Sequence, residues 1–314
     1  MRAALRRARR QRGLALLTVL WMLVMLSAVT IGLGVSARTE TRLARNQVDA
    51  VQARHLAEAG VQRAVLALLD AREAPLLRPD GSRAIELRLG NGTVQTAIQD
   101  ECGKIDLNTA WGELIRGAVQ VSGVGGRDAD AITDAILDWR DPDDQRRQFG
   151  AERREYERES RVGPRNGPFA TVEELRQVLG VTPELYRRLE PIVTVACLQS
   201  GIDTRVAPLA ALRAVPGIRD REVEEVAALR RRSLDRGDPL PTAALSGIQR
   251  YASQSPGFAY SILSVARLES GAESRLEAQV WLLPDGERPY ALLGLRDGRG
   301  VMATIQAPPP ATGP

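Results

Sequence analysis

The first third of the chain carries the pattern of one long helix with two different surfaces. From Leu14 to Val35 no residue is charged. As a helix that run is about 33 Å long, enough to cross the hydrocarbon core of a bilayer. From Ser36 to Asp70 there is no proline and a single glycine, Gly60. Apolar residues recur there at Leu43, Val48, Val51, Leu56, Val61, Val65, Leu68 and Leu69, mostly three to five apart, with polar residues between. That spacing predicts an amphipathic helix. Together the two stretches predict one helix from about Leu14 to Asp70, ending before Pro75 and roughly 85 Å long. Its first half is hydrophobic all round and its second half one-sided.

The period then changes. Residues 84–89 and 93–98 alternate as strands, joined by Gly90-Asn91-Gly92, and Asn-Gly is a strong hairpin signal. Residues from about 106 to 250 are periodic as helices, over 128–139, 171–179, 183–189, 206–214 and 220–233. Thr171 with Glu174 has capping-box spacing, and Pro183 sits early in its helix, where its missing N–H costs nothing. Alternation returns at 259–268, 276–283 and 290–295, with turns at Gly271 and Pro284-Asp285-Gly286. A six-residue echo divides the helical block: Ile105-Asp106-Leu107-Asn108-Thr109-Ala110 is similar to Ile202-Asp203-Thr204-Arg205-Val206-Ala207, each leading into an apolar helix. The reading is an α+β fold: a long N-terminal helix on an antiparallel sheet, with a large all-α insert between strands. The expected units are 1–13, 14–35, 36–103, the insert 104–250, the remaining strands 251–300, and a disordered tail 301–314 that contains Pro308-Pro309-Pro310.

Charge sharpens the N-terminus. Arg2, Arg6, Arg7, Arg9, Arg10 and Arg12 precede the apolar run. A basic cluster stays cytoplasmic and directs the chain beyond the apolar run outward. The alternative is a cleaved secretory signal ending at Val35-Ser36-Ala37, although such signals have shorter apolar regions. The formal charge is +4, and without those six arginines the rest of the chain carries −2. No general affinity for polyanions follows. The two cysteines, Cys102 and Cys197, would lie in an oxidising space where a disulfide is permitted. Two unpaired or separately buried thiols are the equal alternative.

Basic residues ending in Gly13, then an apolar run feeding an amphipathic helix, resemble a type IV pilin-like protein. That family is cut after the glycine by a prepilin peptidase, which would leave Leu14 as the new N-terminus. Thr18 stands at the fifth mature position, where most members carry glutamate and where the K-type pseudopilins of type II secretion typically lack it. Gly103-Lys104-Ile105-Asp106-Leu107-Asn108, the block Asp138-Trp139-Arg140-Asp141-Pro142-Asp143-Asp144 with Gly150-Ala151-Glu152 and Tyr156, and Asn166-Gly167-Pro168-Phe169-Ala170-Thr171-Val172-Glu173-Glu174-Leu175 resemble K pseudopilin segments in the same order. Arg205-Val206-Ala207 departs from the family's usual Asn-Thr-Ala. The resemblance implies a minor pseudopilin in the bacterial inner membrane, single-pass, with its N-terminus cytoplasmic and its folded part periplasmic. It implies partnership with the minor pseudopilins I and J, with H and the major pseudopilin as further partners. A minor pilin of a type IV pilus and a membrane-anchored DNA receptor are the alternative functions.

Asp138, Asp141, Asp143, Asp144 and Glu152 cluster hard oxygen ligands, and the resemblance implies calcium near them. Arg146, Arg147, Arg153 and Arg154 could neutralise the same loop without a metal, and EF-hand spacing is absent. Leu212–Ile218 has the form of a helix-hairpin-helix turn, but Arg219 takes the place of the glycine that would open backbone N–H groups to phosphate. Residues 203–238 hold eight arginines against seven acids, so no basic patch forms and nucleic acid is not expected. His55 reads as a surface residue, with no second histidine for a catalytic triad. Nothing in the sequence argues for an enzyme.

Overall fold

The computed structural model describes Arg2 to Gly298 apart from 243, 244, 246, 247, 254–256 and 284–286, and describes side chains except at 2–15, 29 and 31–39. The long helix is present as α1, Arg2–Leu69. It is followed by strands β1 (Asp80–Leu89) and β2 (Gly92–Asp100). The helical block contains β3 (Ile105–Asp106), α2 (Gly112–Val121), α3 (Gly126–Arg140), α4 (Arg153–Arg158), α5 (Pro183–Leu189), β4 (Val193–Thr194), α6 (Leu209–Arg213) and α7 (Asp220–Arg236). The chain closes on β5 (Ala259–Leu268), β6 (Glu273–Leu282) and β7 (Tyr290–Asp297).

The five long strands form one antiparallel sheet in the order β1-β2-β5-β6-β7. The helical block leaves at the end of β2 and returns at the start of β5, where Asp100 faces Tyr260 in register. Because β2 and β5 are neighbours, the insert springs from the middle of the sheet without interrupting it. The insert is not wholly helical. β3 and β4 pair as a short parallel ribbon, Ile105 with Val193 and Asp106 with Thr194.

The amphipathic reading of α1 needs a correction of face. Leu43, Val48 and Val51 are more than half exposed. The buried seam runs instead through Ala53, Ala57, Gly60, Val61, Ala64, Val65 and Ala67. Small side chains bring helix and sheet close, and they pack on Val94, Ile98, Ile262, Ala278 and Val280. A hydrophobicity pattern weights leucine and valine above alanine, so it finds the larger exposed residues first.

Other boundaries differ for local reasons. The β1–β2 turn is made by Gly90, at φ +57°, and Asn91, so Gly92 already belongs to β2. Residues 172–177 form a 3-10 helix rather than an α-helix. Thr171 does not cap it, because the Glu174 carboxylate reaches back to the N–H of Ala170. At α5 the expected start holds, with Pro183 in the first turn and Thr182 Oγ1 accepting from Leu185 N–H at 3.2 Å. Helices α2 and α4 had no counterpart among the predicted spans. Gly117 of α2 explains why α2 packs so tightly: a Cβ there would lie 1.8 Å from Ala214 O, beside the end of α6.

Candidate functional site

The echo within the insert has a structural basis. Asp106, fully buried, accepts through Oδ1 from the N–H groups of Asn108 (2.8 Å) and Thr109 (3.1 Å), and Ala110 N–H donates to its carbonyl. Asp203 repeats this: its Oδ1 accepts from Arg205 N–H at 2.9 Å, and Ala207 N–H donates to its carbonyl at 2.9 Å. In both places a short aspartate side chain organises the turn into the next helix. Each preceding isoleucine also pairs in parallel, Ile105 with Val193 and Ile202 with Ala252. The second copy is tied to the chain just before the first, through Asp203 N–H to Cys102 O at 2.7 Å. A Cβ on Gly103 would meet Val206 at 2.7 Å, so the contact is backbone against backbone.

Cys102 and Cys197 are joined by a disulfide with Cα atoms 4.9 Å apart. It closes the base of the insert. The second oxygen of Asp106 holds the far side of that closure, accepting from Cys197 N–H (3.0 Å) and Leu198 N–H (2.8 Å). Four backbone donors therefore satisfy the hydrogen-bonding capacity of one buried carboxylate.

The acidic loop after α3 is organised around Asp138, in the last turn of α3 and fully buried. The Arg147 guanidinium bridges Asp138 Oδ1, at 2.7 Å, and Asp141 Oδ2. Of the four arginines near the loop, Arg147 is thus the one that neutralises it, while Arg146 reaches Gly150 O and Glu155. Gly150 has no room for a side chain, since a Cβ would sit 2.0 Å from Asp138 Oδ2. Asp143 Oδ1 accepts from Gln145 N–H and Asp144 Oδ1 from Asn166 Nδ2, each at 2.8 Å. Behind the loop Trp139 lies against Tyr156 and Phe169, with ring centroids 5.9 Å apart in both pairs.

Glu152 is buried, and neither of its carboxylate oxygens has a hydrogen-bond partner; Asp141 Oδ1 is equally without one. Burial first, then the carboxylates of Asp138, Asp141, Asp144 and Asp143, pushes Glu152 up to about 7. Burial likewise raises Asp138, against the pull of Arg147. Orphaned buried oxygens under mutual repulsion suit a hard cation. Arg147, however, already lies between Asp138 and Asp141. Among the described residues no three His, Cys, Asp or Glu side chains are gathered closely enough to form a metal cage. Glu152 and Asp141 offer unpartnered oxygens to a hard cation but too few for calcium's shell, and Asp138 could join them only if Arg147 withdraws.

At the N-terminus, Gly13 and Leu14 lie on the backbone of α1, but their side chains and most of the leader's lie outside the described residues. Thr18 is exposed, among apolar neighbours from Leu16 to Leu26 that are all more than half exposed. Among the described residues no helix is long and apolar enough to cross a membrane; the expected span 14–35 includes side chains that are not described. The tail 301–314 also lies outside the described residues. The 212–218 turn joins α6 to α7 with Gly217 at φ +86°, and the Arg219 guanidinium is held by Glu222. His55 pairs with Glu58 at the surface.

Known proteins resemble this arrangement. The family described as type II secretion system (T2SS), protein K, matches residues 104–197, which run from just before β3 to the second cysteine. The putative type II secretion system protein K of Escherichia coli K12 is 27% identical over 206 residues, covering 59% of this chain and 62% of that protein. Type II secretion system protein K of Dickeya chrysanthemi is 39% identical over 83 residues, covering 26% of this chain and 23% of that protein. The matches thus span less than two thirds of either relative's length. A crystal structure of the GspK-GspI-GspJ complex from the enterotoxigenic Escherichia coli type 2 secretion system contains a chain of the same fold, with a TM-score of 0.58 at 18% identity over 84% of this chain and 99% of that one. The family match thus falls on the first part of the insert and its acidic loop, and over that part the chain is similar to type II secretion system protein K.

Proposed function

We propose that the chain is a minor pseudopilin that caps a pseudopilus tip together with I- and J-type pseudopilins and so supports export of folded proteins across the outer membrane. On this reading prepilin peptidase cuts between Gly13 and Leu14. Residues 14–35 hold the subunit in the inner membrane, with the folded part periplasmic. Its work is assembly, not catalysis.

The observation that carries the reading is the division of α1. Its end, from Ala53 to Ala67, is buried on the sheet, whereas Leu16–Leu26 present uncovered apolar side chains. Such a surface needs lipid or neighbouring helices. The position of the insert supports a cap: a block of about 150 residues, springing from the middle of the sheet between β2 and β5, would crowd a repeated shaft. Thr18 agrees. A glutamate in an apolar environment needs a partner, and a tip subunit has no subunit above it to supply one. Calcium held by Glu152 and Asp141, with Asp138, would fix the loop beside α4.

Co-purification of the full chain with I- and J-type subunits tests the reading. A stable ternary complex is expected, and sequencing of the native protein should begin at Leu14. A native N-terminus at Arg38, or no complex with either subunit, refutes it.

A further inference from the structure

A cleft of about 720 Å³ lies between the back of the sheet and the insert, on the face opposite α1. That volume is in the range of ligand pockets. Neither assembly nor the acidic loop uses it. Its floor is formed by Ser261, Leu263, Gln279 and the edge strand β7, and its far wall by α7 and the start of α6.

The charges lining the cleft are not equally engaged. The acids are satisfied from within. Glu101 accepts from Lys104 Nζ (2.6 Å), Ser261 Oγ (2.7 Å) and Thr194 Oγ1 (2.5 Å). Glu277 is held through both oxygens by Arg296, which also reaches Glu173. Asp80 accepts from Ser82 N–H and Oγ. Of the two α7 arginines that line the cleft, Arg231 retains donor capacity and Arg230 contributes buried charge. Arg230 is 7% exposed, spends its terminal nitrogens on Ala207 O and Thr204 O, and keeps Nε without a partner. Arg231, one residue on, is exposed and makes no ion pair among the described residues. Behind Arg230 the buried Arg78 donates to its carbonyl at 2.8 Å. One carboxylate, Asp80, lies 3.9 Å from Arg230. With Asp203 paired to Arg205, this end of the cleft therefore has an excess of positive charge, and its free N–H groups are those of Arg231.

The walls select the body of the ligand. Leu209, Leu234, Ile192 and Leu293 are apolar, but the side chain of Gln279 on the floor makes no hydrogen bond among the described residues. An apolar wall with an idle amide suits a peptide chain better than a hydrocarbon tail. Among the described residues β7 is an edge of the sheet, and its outer side adds strand hydrogen-bonding groups. We infer that this cleft binds an apolar peptide segment ending in a free α-carboxylate, with the carboxylate held by Arg231 beside the buried charge of Arg230 and the side chains along α7 and β7. Arginine is suited to that role, since its planar fork matches a carboxylate.

The test uses the full chain in lipid nanodiscs, with empty nanodiscs as background. The probe is a fluorescein-labelled nonapeptide of leucine, valine and serine with a free C-terminus. Saturable binding by fluorescence anisotropy is expected, at least tenfold tighter than for the C-terminally amidated peptide. Arg231→Gln, at an exposed position, should weaken binding at least fivefold. Ala227→Trp and Ala210→Trp, which fill the cleft from α7 and α6, should each abolish it while leaving the circular dichroism spectrum unchanged. Equal binding of the acid and the amide, or wild-type binding by both tryptophan variants, overturns the inference. Decanoate that displaces the peptide at equal potency overturns the peptide assignment in favour of a fatty acid.

Discussion

Gly60 of α1 lies against Ser264 of β5 so closely that a Cβ would fall 2.2 Å from Ser264 Oγ, with Val94 Cγ1 at 2.5 Å and Thr96 Oγ1 at 2.6 Å. Ala57 and Ala64, on either side, are fully buried in the same seam. Replacing a mid-helix glycine by alanine normally gains about 1 kcal/mol of helix propensity. Here the added methyl must separate a helix from two strands, and overpacking of that kind costs about 1–3 kcal/mol. Gly60→Ala is therefore expected to lower the urea midpoint, and Gly60→Val to lower it further. Gly125, where nothing lies within 4 Å of a built Cβ, is the control, and Gly125→Ala should stay within about 0.5 kcal/mol of wild type.

The disulfide spans a sequence separation of 95 residues and encloses most of the first half of the insert. In the chain-entropy account a loop of that length constrains the unfolded chain by roughly 4–5 kcal/mol. The double variant Cys102→Ala/Cys197→Ala should lose stability of that order in a guanidinium titration, and dithiothreitol should shift wild type but not the variant. The α1–sheet packing does not depend on the bridge, so far-ultraviolet circular dichroism should keep its sheet contribution.

Asp100 marks the point where the chain leaves the sheet. Its Oδ1 accepts from Cys102 N–H at 2.8 Å, and a Cβ on Gly257 would lie 2.0 Å from it. Burial, opposed by the Cys102 N–H, raises it from 3.8 to about 7, with Asp203 and Glu101 adding to the rise and Arg205 countering it. The folded chain thus keeps a proton between about pH 4 and 7 that the unfolded chain has released. Stability must fall as pH rises through that window and level off above it. Asp100→Asn keeps the acceptor oxygen and removes the charge. Its melting temperature should fall less than that of wild type between pH 5 and 7.5. Parallel slopes for the two proteins would show that Asp100 does not titrate there.

Much of this architecture could be read in the sequence because its signals are periodic. Strand alternation located all five long strands, and the absence of proline from Ser36 to Asp70 marked the continuity of α1. What escaped were features set by close approach. The buried seam of α1 is made largely of alanine and glycine, which carry little hydrophobic signal. Helix α2 follows Trp111 without a polar cap, so it had no start signal. In the acidic loop the sequence offered four arginines without distinguishing them. Arg147 was selected by the fold of the loop, which returns its guanidinium to the end of α3 nine residues earlier. The lack of partners at Glu152 depends on that same folding and leaves no mark on composition.

The Arg147 bridge makes the calcium reading separable from a loop held by arginine alone. Arg147 neutralises Asp138, which is fully buried. Removing one member of a fully buried pair costs about 3–5 kcal/mol; here the cost is smaller, because Arg147 is 38% exposed and screened by solvent. In EGTA, Arg147→Gln should therefore melt below wild type. A divalent cation that takes oxygens from Asp138, Asp141 and Glu152 would replace the lost guanidinium. Calcium at millimolar concentration should accordingly restore most of the loss in Arg147→Gln and raise wild type by less, because in wild type it must first displace Arg147. Magnesium, which needs a tighter octahedron and sheds water reluctantly, should restore less. Arg147→Gln/Glu152→Gln should not respond to calcium, since it lacks the two otherwise unpartnered oxygens of Glu152. Thermal melts of the four proteins, wild type, Arg147→Gln, Glu152→Gln and the double variant, in EGTA, calcium and magnesium give the answer. If calcium leaves Arg147→Gln where EGTA put it, the loop is an arginine-paired turn and no cation belongs there.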